Sequence, residues 1–196
     1  LCIGLNYMTH AREANMEVPN HPTVFVRFPN SVVGSGQPMI RPKASERYDF
    51  EAELAVIIGK RCRHVSEAQA NSVIAGYSCF NYGSVRDWQR HTTQFTPGKN
   101  FYHSGSFGPW ITTADELPDV GNERIMTRLN GEMMQDGNIN DLIFSIPQLI
   151  AYCSAFTELL PGDVIATGTT SGVGTHRKPP IFLKAGISYA RTDEEA

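Results

Sequence analysis

The segment 48-YDFEAELAVIIGK-60 decides how the rest of the chain reads. Its alanine, leucine, valine and isoleucine run predicts a strand over 53–59. Alternate side chains of extended chain point to the same face, so Glu51 and Glu53 should lie side by side, their Cα atoms roughly 6.5 Å apart. Ala52, Leu54, Ile57 and Ile58 supply apolar surroundings. Two like charges turned inward repel each other and are costly to desolvate unless something positive sits between them. A hard divalent cation such as Mg²⁺ answers that need with oxygen ligands. A half-exposed strand whose outer face is acidic reads equally well from these residues alone.

Working outward, the 196 residues are 41% hydrophobic and 19% charged, a globular composition. That length suits one domain over 1–190, followed by a polar tail, 191–196. A net charge of −3 offers no footing for nucleic acid or an anionic membrane. No apolar run approaches the ~20 residues of a membrane span. No charged-then-apolar leader opens the chain, and Cys2, Cys62, Cys79 and Cys153 are dispersed without a C-x-x-C pair. They read as reduced thiols, and the expected location is cytoplasmic. Both ends read as cut: LCIG is a strand already under way, and ISYARTDEEA fades into polar residues where another strand is expected.

The remaining elements follow from local signals. Residues 5–15 suit a short helix, followed by the loop EVPNHP. Val24–Phe28 and Met39–Arg41 read as strands separated by a Pro/Gly/Ser segment. Ser66 with Gln69 forms a capping box ahead of a helix over 67–74. Gly76–Arg90 reads as a strand leading into a loop. Asn130-Gly131 marks a type I′ hairpin between 124–129 and 132–135. Ser145 with Pro147 starts a helix running to about Ser154. Pro161-Gly162-Asp163 turns into the strand VIAT. Without βαβ alternation the pattern is mixed and strand-rich, not a doubly wound parallel sheet.

Several groups could carry chemistry. His10 and Glu13 share a helix face, where the carboxylate could orient the imidazole as a general base; a surface ion pair is the plainer alternative. The loop 168-GTTSGVG-174 could hold a carboxylate or phosphate on its N–H groups, or be an ordinary glycine turn. It lacks the Gly-Lys-Ser/Thr of a P-loop. Arg86, Gln89 and Lys99 could reach a substrate, although single cations are more often solvated surface. Trp88 and Trp110 read as core or pocket wall. The other histidines, His176 among them, show no ligand spacing.

Taken together, GLNYMTHAREA, FVRF, YDFEAELAVIIGK, GYSCFNYGSVRDWQ, GKNF with FGPW, RLNGE and PGDVIATGTTSGVG resemble, in order and spacing, the fumarylacetoacetate hydrolase family. The resemblance implies a mixed α/β, strand-rich β-roll with short peripheral helices, usually a homodimer. It implies Mg²⁺ or Mn²⁺ chelating a small 2-oxo acid substrate. Glu51 and Glu53 would be metal ligands, His10 and Glu13 the water-activating dyad, and Lys99 the group that holds an enolate. Arg86, Gln89 and Thr169 would line the substrate pocket. The implied activity is hydrolysis of a C–C bond in an acylpyruvate-type 2-oxo acid from aromatic catabolism. Alternatives on the same scaffold are a decarboxylase or isomerase, or a metal-deficient, non-catalytic homologue. The last arises because the family's third carboxylate follows Phe-Asn, and here Tyr82 stands in its place. Asp49 and Asp87 lie nearby in sequence, but the family pattern makes neither a ligand. After Ala185-Gly186 the family's closing strand is expected to be missing.

Overall fold

The computed structural model describes residues 1–186 and the backbone of 189–190; the polar tail 191–196 lies outside the described residues. In chain order, β1 (Cys2–Gly4) leads into the helix α1 (Met8–Ala14), then β2 (Thr23–Phe25) and β3 (Val32–Gly34). β4 (Tyr48–Asp49) and the long β5 (Ala52–Ile58) carry the acidic segment, followed by α2 (Glu67–Ala70) and β6 (Ile74–Asn81). β7 (Ser84–Val85) runs straight into α3 (Arg86–Gln89), and α4 (Thr96–Lys99) precedes β8 (Gly105–Phe107) and β9 (Thr112–Thr113). The hairpin β10 (Arg124–Leu129) and β11 (Glu132–Asn138), the helix α5 (Ile146–Phe156), β12 (Val164–Thr169) and β13 (Tyr189–Ala190) follow.

The main sheet pairs in the order β2-β1-β12-β5-β6-β8-β3, with β9 also on β6. β1 runs parallel to β12 and β3 parallel to β8, while the other pairings in the sheet are antiparallel. β11-β10-β13 form a second sheet and β4-β7 a small third.

β5 lies between β12 and β6 and is buried along its whole length. Its alternation sorts the two faces. Ala52, Leu54, Val56 and Ile58 enter the main core with Leu149, Ile150 and Cys153 of α5. Burial of each large aliphatic side chain there contributes about 1.5–3 kcal/mol. Ala55 joins Cys2, Phe80, Tyr82 and Ala166 in a separate cluster on the opposite face. Glu51 and Glu53 share that face's parity, and both are 3% exposed. The carboxylates therefore point inward, and the half-exposed acidic strand is excluded.

Other expectations shift. The first helix starts only at Met8, because Leu5 takes a positive φ of 49° and the chain is extended at Tyr7. Val24–Phe28 shortens to β2. Met39–Arg41 is not a strand; β3 forms instead at Val32–Gly34, where β8 supplies a parallel partner. The capping box at Ser66 is present, but α2 stops at Ala70 and a 3₁₀ turn, Asn71–Val73, delivers the chain to β6. The end of Gly76–Arg90 is the helix α3 and not a loop. At the hairpin, Asn130 and Gly131 take φ of 52° and 85°, as a type I′ turn requires. Ser145 and Gln148 complete the reciprocal cap of α5. Trp110 is 61% exposed and not a wall residue, while Trp88 packs edge-on against Phe101 at 5.2 Å. β13 pairs Tyr189 with Leu129 and Ala190 with Arg128, so a short strand stands where none was expected; the open edge of β10 offers it backbone partners.

Candidate functional site

Glu51 sits one residue before β5, and its carbonyl accepts the Tyr82 N–H at 2.8 Å. Gly83 then lets the chain turn tightly, since a Cβ there would meet the Ser104 carbonyl at 1.7 Å. This turn brings Ser84 Oγ to 2.8 Å from Glu51 Oε2. Lys99 Nζ reaches the same oxygen at 2.5 Å and Arg86 Nη1 reaches Oε1 at 2.6 Å. Burial alone would raise the Glu51 carboxyl, but Arg86 and Lys99 outweigh it and hold the group far below the usual carboxylate range. Glu53 goes the other way, raised by burial and then by the Glu51 charge, with the Gly168 N–H on its Oε2 at 3.0 Å. Burial lowers the Lys99 ammonium against the pull of Glu51. The neighbouring carboxylates thus part, Glu51 ionised and Glu53 favouring its proton.

Arg86, at the start of α3, is the hub. Nε donates to Asp49 Oδ2 at 2.7 Å, and Nη1 also donates to Gln89 Oε1 at 3.0 Å. Nη2 is buried and has no hydrogen-bond partner among the described residues. Asp49 in turn accepts the N–H groups of Gly174 at 2.8 Å and Thr175 at 3.0 Å. It thereby fixes the turn that carries His176. The His176 ring stands 5.8 Å from that of His10, nearly edge-on, and its pKa is lowered by burial and then by His10. His10 Nδ1 lies 3.1 Å from Glu13 Oε2, and Glu13 Oε1 accepts the Gly172 N–H at 2.9 Å. Burial opposes ionisation of Glu13, but the contacts with His10 and Gly172 outweigh it and lower its pKa. His10 is buried, so this pair is not a surface ion pair.

The glycine loop therefore does hold carboxylates, and those described are the chain's own: Glu53 on Gly168, Glu13 on Gly172 and Asp49 on Gly174. Gly168 adopts φ +103°, where a Cβ would meet that of Asn6 at 2.8 Å. Thr169 faces inward. Its hydroxyl donates to the Ala52 carbonyl at 2.8 Å and accepts from Gln135 Nε2 at 2.8 Å, which leaves it committed within the protein.

Tyr82 is fully buried, and its Oη lies 2.5 Å from Cys2 Sγ, turned toward that thiol. Burial keeps the phenol well above its ordinary pKa and so neutral. Its ring lies 4.7 Å from Lys99 Nζ and 4.5 Å from the Arg27 guanidinium carbon. Among the described residues no three His, Cys, Asp or Glu side chains come together as metal ligands. One glutamate already accepts from two cations and a hydroxyl, the other accepts the Gly168 N–H, and the third position holds a neutral phenol turned toward Cys2. That donor set does not fit Mg²⁺ or Mn²⁺, which need several free anionic or carbonyl oxygens.

Sequence reasoning missed Ser84 and the contribution of His176. Ser84 lies two residues before Arg86 and could have been found from strand alternation. His176 meets His10 only through the fold, and no local spacing announces it.

The profile of the fumarylacetoacetate hydrolase C-terminal domain matches residues 1–188. The chain belongs to the fumarylacetoacetate hydrolase family. Human mitochondrial oxaloacetate tautomerase FAHD2A is 43% identical over 188 residues, 95% of this chain and 60% of that protein. The chain thus spans about 60% of the length of that curated relative. A fumarylacetoacetate hydrolase from Exiguobacterium antarcticum superposes with a TM-score of 0.89 at 34% identity, covering 97% of this chain and 69% of the other. A 5-carboxymethyl-2-hydroxymuconate delta-isomerase from Mycobacterium smegmatis gives a TM-score of 0.83 at 34% identity, covering 98% and 73%. The fold is the family's, with a curled, strand-rich sheet and short helices. Members of the family are hydrolases, isomerases and tautomerases, and commonly use divalent metals. No helix among the described residues is long and apolar enough to cross a membrane.

Proposed function

We propose that this chain moves a proton on a small 2-oxo acid, interconverting its keto and enol forms. The observation that carries the reading is Arg86 Nη2, a buried donor without a partner among the described residues, beside the carboxylate cluster. Buried donors are nearly always satisfied, and a substrate carboxylate answers a guanidinium N–H with a charge-assisted hydrogen bond. His176 links this donor to the second half of the site, since it lies against His10 and follows the turn that Asp49, the partner of Arg86, holds.

Glu13 holds His10 through Nδ1, which leaves Nε2 to exchange a proton. His10 takes a proton from the carbon next to the 2-oxo group, and the C–H electron pair becomes the C=C bond of the enolate. The carbonyl π electrons move to oxygen, where the cations of Arg86 and Lys99 favour the developing charge. The proton then returns to that oxygen, so the reaction is balanced without a co-reactant. The human and mycobacterial relatives, a tautomerase and an isomerase by name, support this class.

Hydrolysis of an acylpyruvate-type C–C bond is the second reading, favoured by the likeness to the Exiguobacterium hydrolase. It would use the His10–Glu13 pair to direct water. The test follows the decay of enol-oxaloacetate by its ultraviolet absorbance, without added metal, alongside pyruvate release from an acylpyruvate. We expect faster ketonisation, lowered about 10²–10⁴-fold by His10→Ala, and no pyruvate. Pyruvate release without faster ketonisation favours the hydrolase. Neither activity, with 2-oxo acid raising the melting temperature, leaves a binding protein that does not turn over.

A further inference from the structure

We infer that Tyr82 and Lys99 together stand in for the family's divalent cation: the ammonium supplies the positive charge the glutamates require, and the phenol ring closes the third ligand position. Three observations converge. Lys99 is 4% exposed, and its Nζ bonds Glu51 Oε2 at 2.5 Å and Ser84 Oγ at 2.7 Å. The same nitrogen lies 4.7 Å from the Tyr82 ring centroid and 5.6 Å from that of Phe25, within cation–π range of both. Tyr82 is held in that place from the other side, by Cys2 Sγ at 2.5 Å, the Phe80 ring at 5.0 Å and the Arg27 guanidinium at 4.5 Å.

An aspartate at 82 would add a carboxylate where the ring now lies and would remove the aromatic face from beneath the ammonium. The ring therefore does two things at once. It deletes an oxygen ligand, and it stabilises the cation that competes with a metal for Glu51. With Arg86 on the other oxygen and Ser84 beside Lys99, Glu51 already accepts three donors and keeps a single free lone pair, so a metal that needs more of it must displace one of them. Tyr82 thus determines the kind of cation this scaffold holds, with Lys99 fixed between the carboxylate and the ring. The inference is independent of the proton-transfer reading: a chain that binds no metal and turns nothing over would defeat that reading and leave this one intact.

The test is Mn²⁺ binding by titration calorimetry and by loss of the free-ion paramagnetic signal, on the native chain and on Tyr82→Asp, Tyr82→Phe and Lys99→Met. We expect no saturable site in the native chain or in Tyr82→Phe at millimolar metal. Tyr82→Asp should gain about a hundredfold in affinity, the worth of one charged contact. Lys99→Met, which frees a Glu51 oxygen without adding a ligand, should gain about tenfold and decides the point if Tyr82→Asp does not fold. One-to-one binding by the native chain that Glu51→Gln abolishes would overturn the inference. So would a folded Tyr82→Asp, or a folded Lys99→Met, whose affinity equals that of the native chain.

Discussion

Arg86 is where single-residue effects concentrate. It joins Asp49 at the end of β4, Glu51 just before β5 and Gln89 of its own helix, in a site where all but Gln89 are buried. Arg86→Met removes the cation and leaves two buried carboxylates facing each other across the space it filled. Breaking a buried pair from one side typically costs about 3–5 kcal/mol, and urea unfolding should show a loss of that size. Arg86→Lys should recover only part of it, because one ammonium cannot reproduce the guanidinium's separate bonds to Asp49 and Glu51. A loss below about 1 kcal/mol, the range of an exposed ion pair, would mean that solvent reaches this cluster. How far these residues can be read from sequence depends on separation along the chain. The inward pairing of Glu51 and Glu53 follows from their spacing of two on extended chain. Asp49 as the brace of Arg86, and His176 as neighbour of His10, depend on contacts across 37 and 166 residues, where no periodicity helps.

At the scale of elements, Gln135 ties the second sheet to the first by hydrogen bonds, beside the apolar packing of Ile125 from β10 in the main core. Gln135 on β11 accepts the Ala52 N–H at 2.9 Å and the Thr127 hydroxyl at 3.1 Å, and donates to Thr169 Oγ1 at 2.8 Å and to the Thr170 carbonyl at 3.0 Å. Gln135→Leu keeps the bulk and strands the Ala52 N–H and Thr170 carbonyl without their partner. Each unsatisfied buried group costs about 1–3 kcal/mol, so the variant should lose about 2–6 kcal/mol in urea unfolding. Because Ala52 lies between the two glutamates and Thr169 pairs with Glu53, hydrogen exchange at their amides should quicken before that of α5. Equal acceleration at both places would mean that Gln135 supports the whole core and not this junction. The contrast with the helices is instructive. The caps of α2 and α5 and the turn at Asn130-Gly131 are written in consecutive residues and are legible directly. β3 is not, because Val32–Gly34 become a strand only through Gly105–Phe107, and Met39–Arg41 find no such partner.

For the molecule as a whole, stability rests on the main core to which α5 and β5 both contribute, and Cys153 reports on it. Its thiol is buried in the main core, and burial pushes its pKa up to about 11 from 9.0. The sign follows from proton counting. Between pH 9 and 11 the unfolded chain has lost this proton while the folded chain still holds it, so unfolding releases a proton and stability falls as pH rises. Below pH 9 both states carry the proton and the contribution is fully present. Cys2 and Tyr7, whose pKa values are also raised chiefly by burial, add slopes of the same sign, Cys2 from pH 9.0 upward and Tyr7 from 10.0 upward. Cys153→Ala should therefore be less stable than the native chain near pH 7.5, through the small cavity it opens, yet lose stability less steeply toward pH 11. The difference in slope should approach one proton, about 1.4 kcal/mol per pH unit. Urea midpoints taken across that range on both chains measure it. Identical slopes would place the Cys153 thiol in contact with water, which requires α5 to open away from β5 well before the rest of the molecule unfolds.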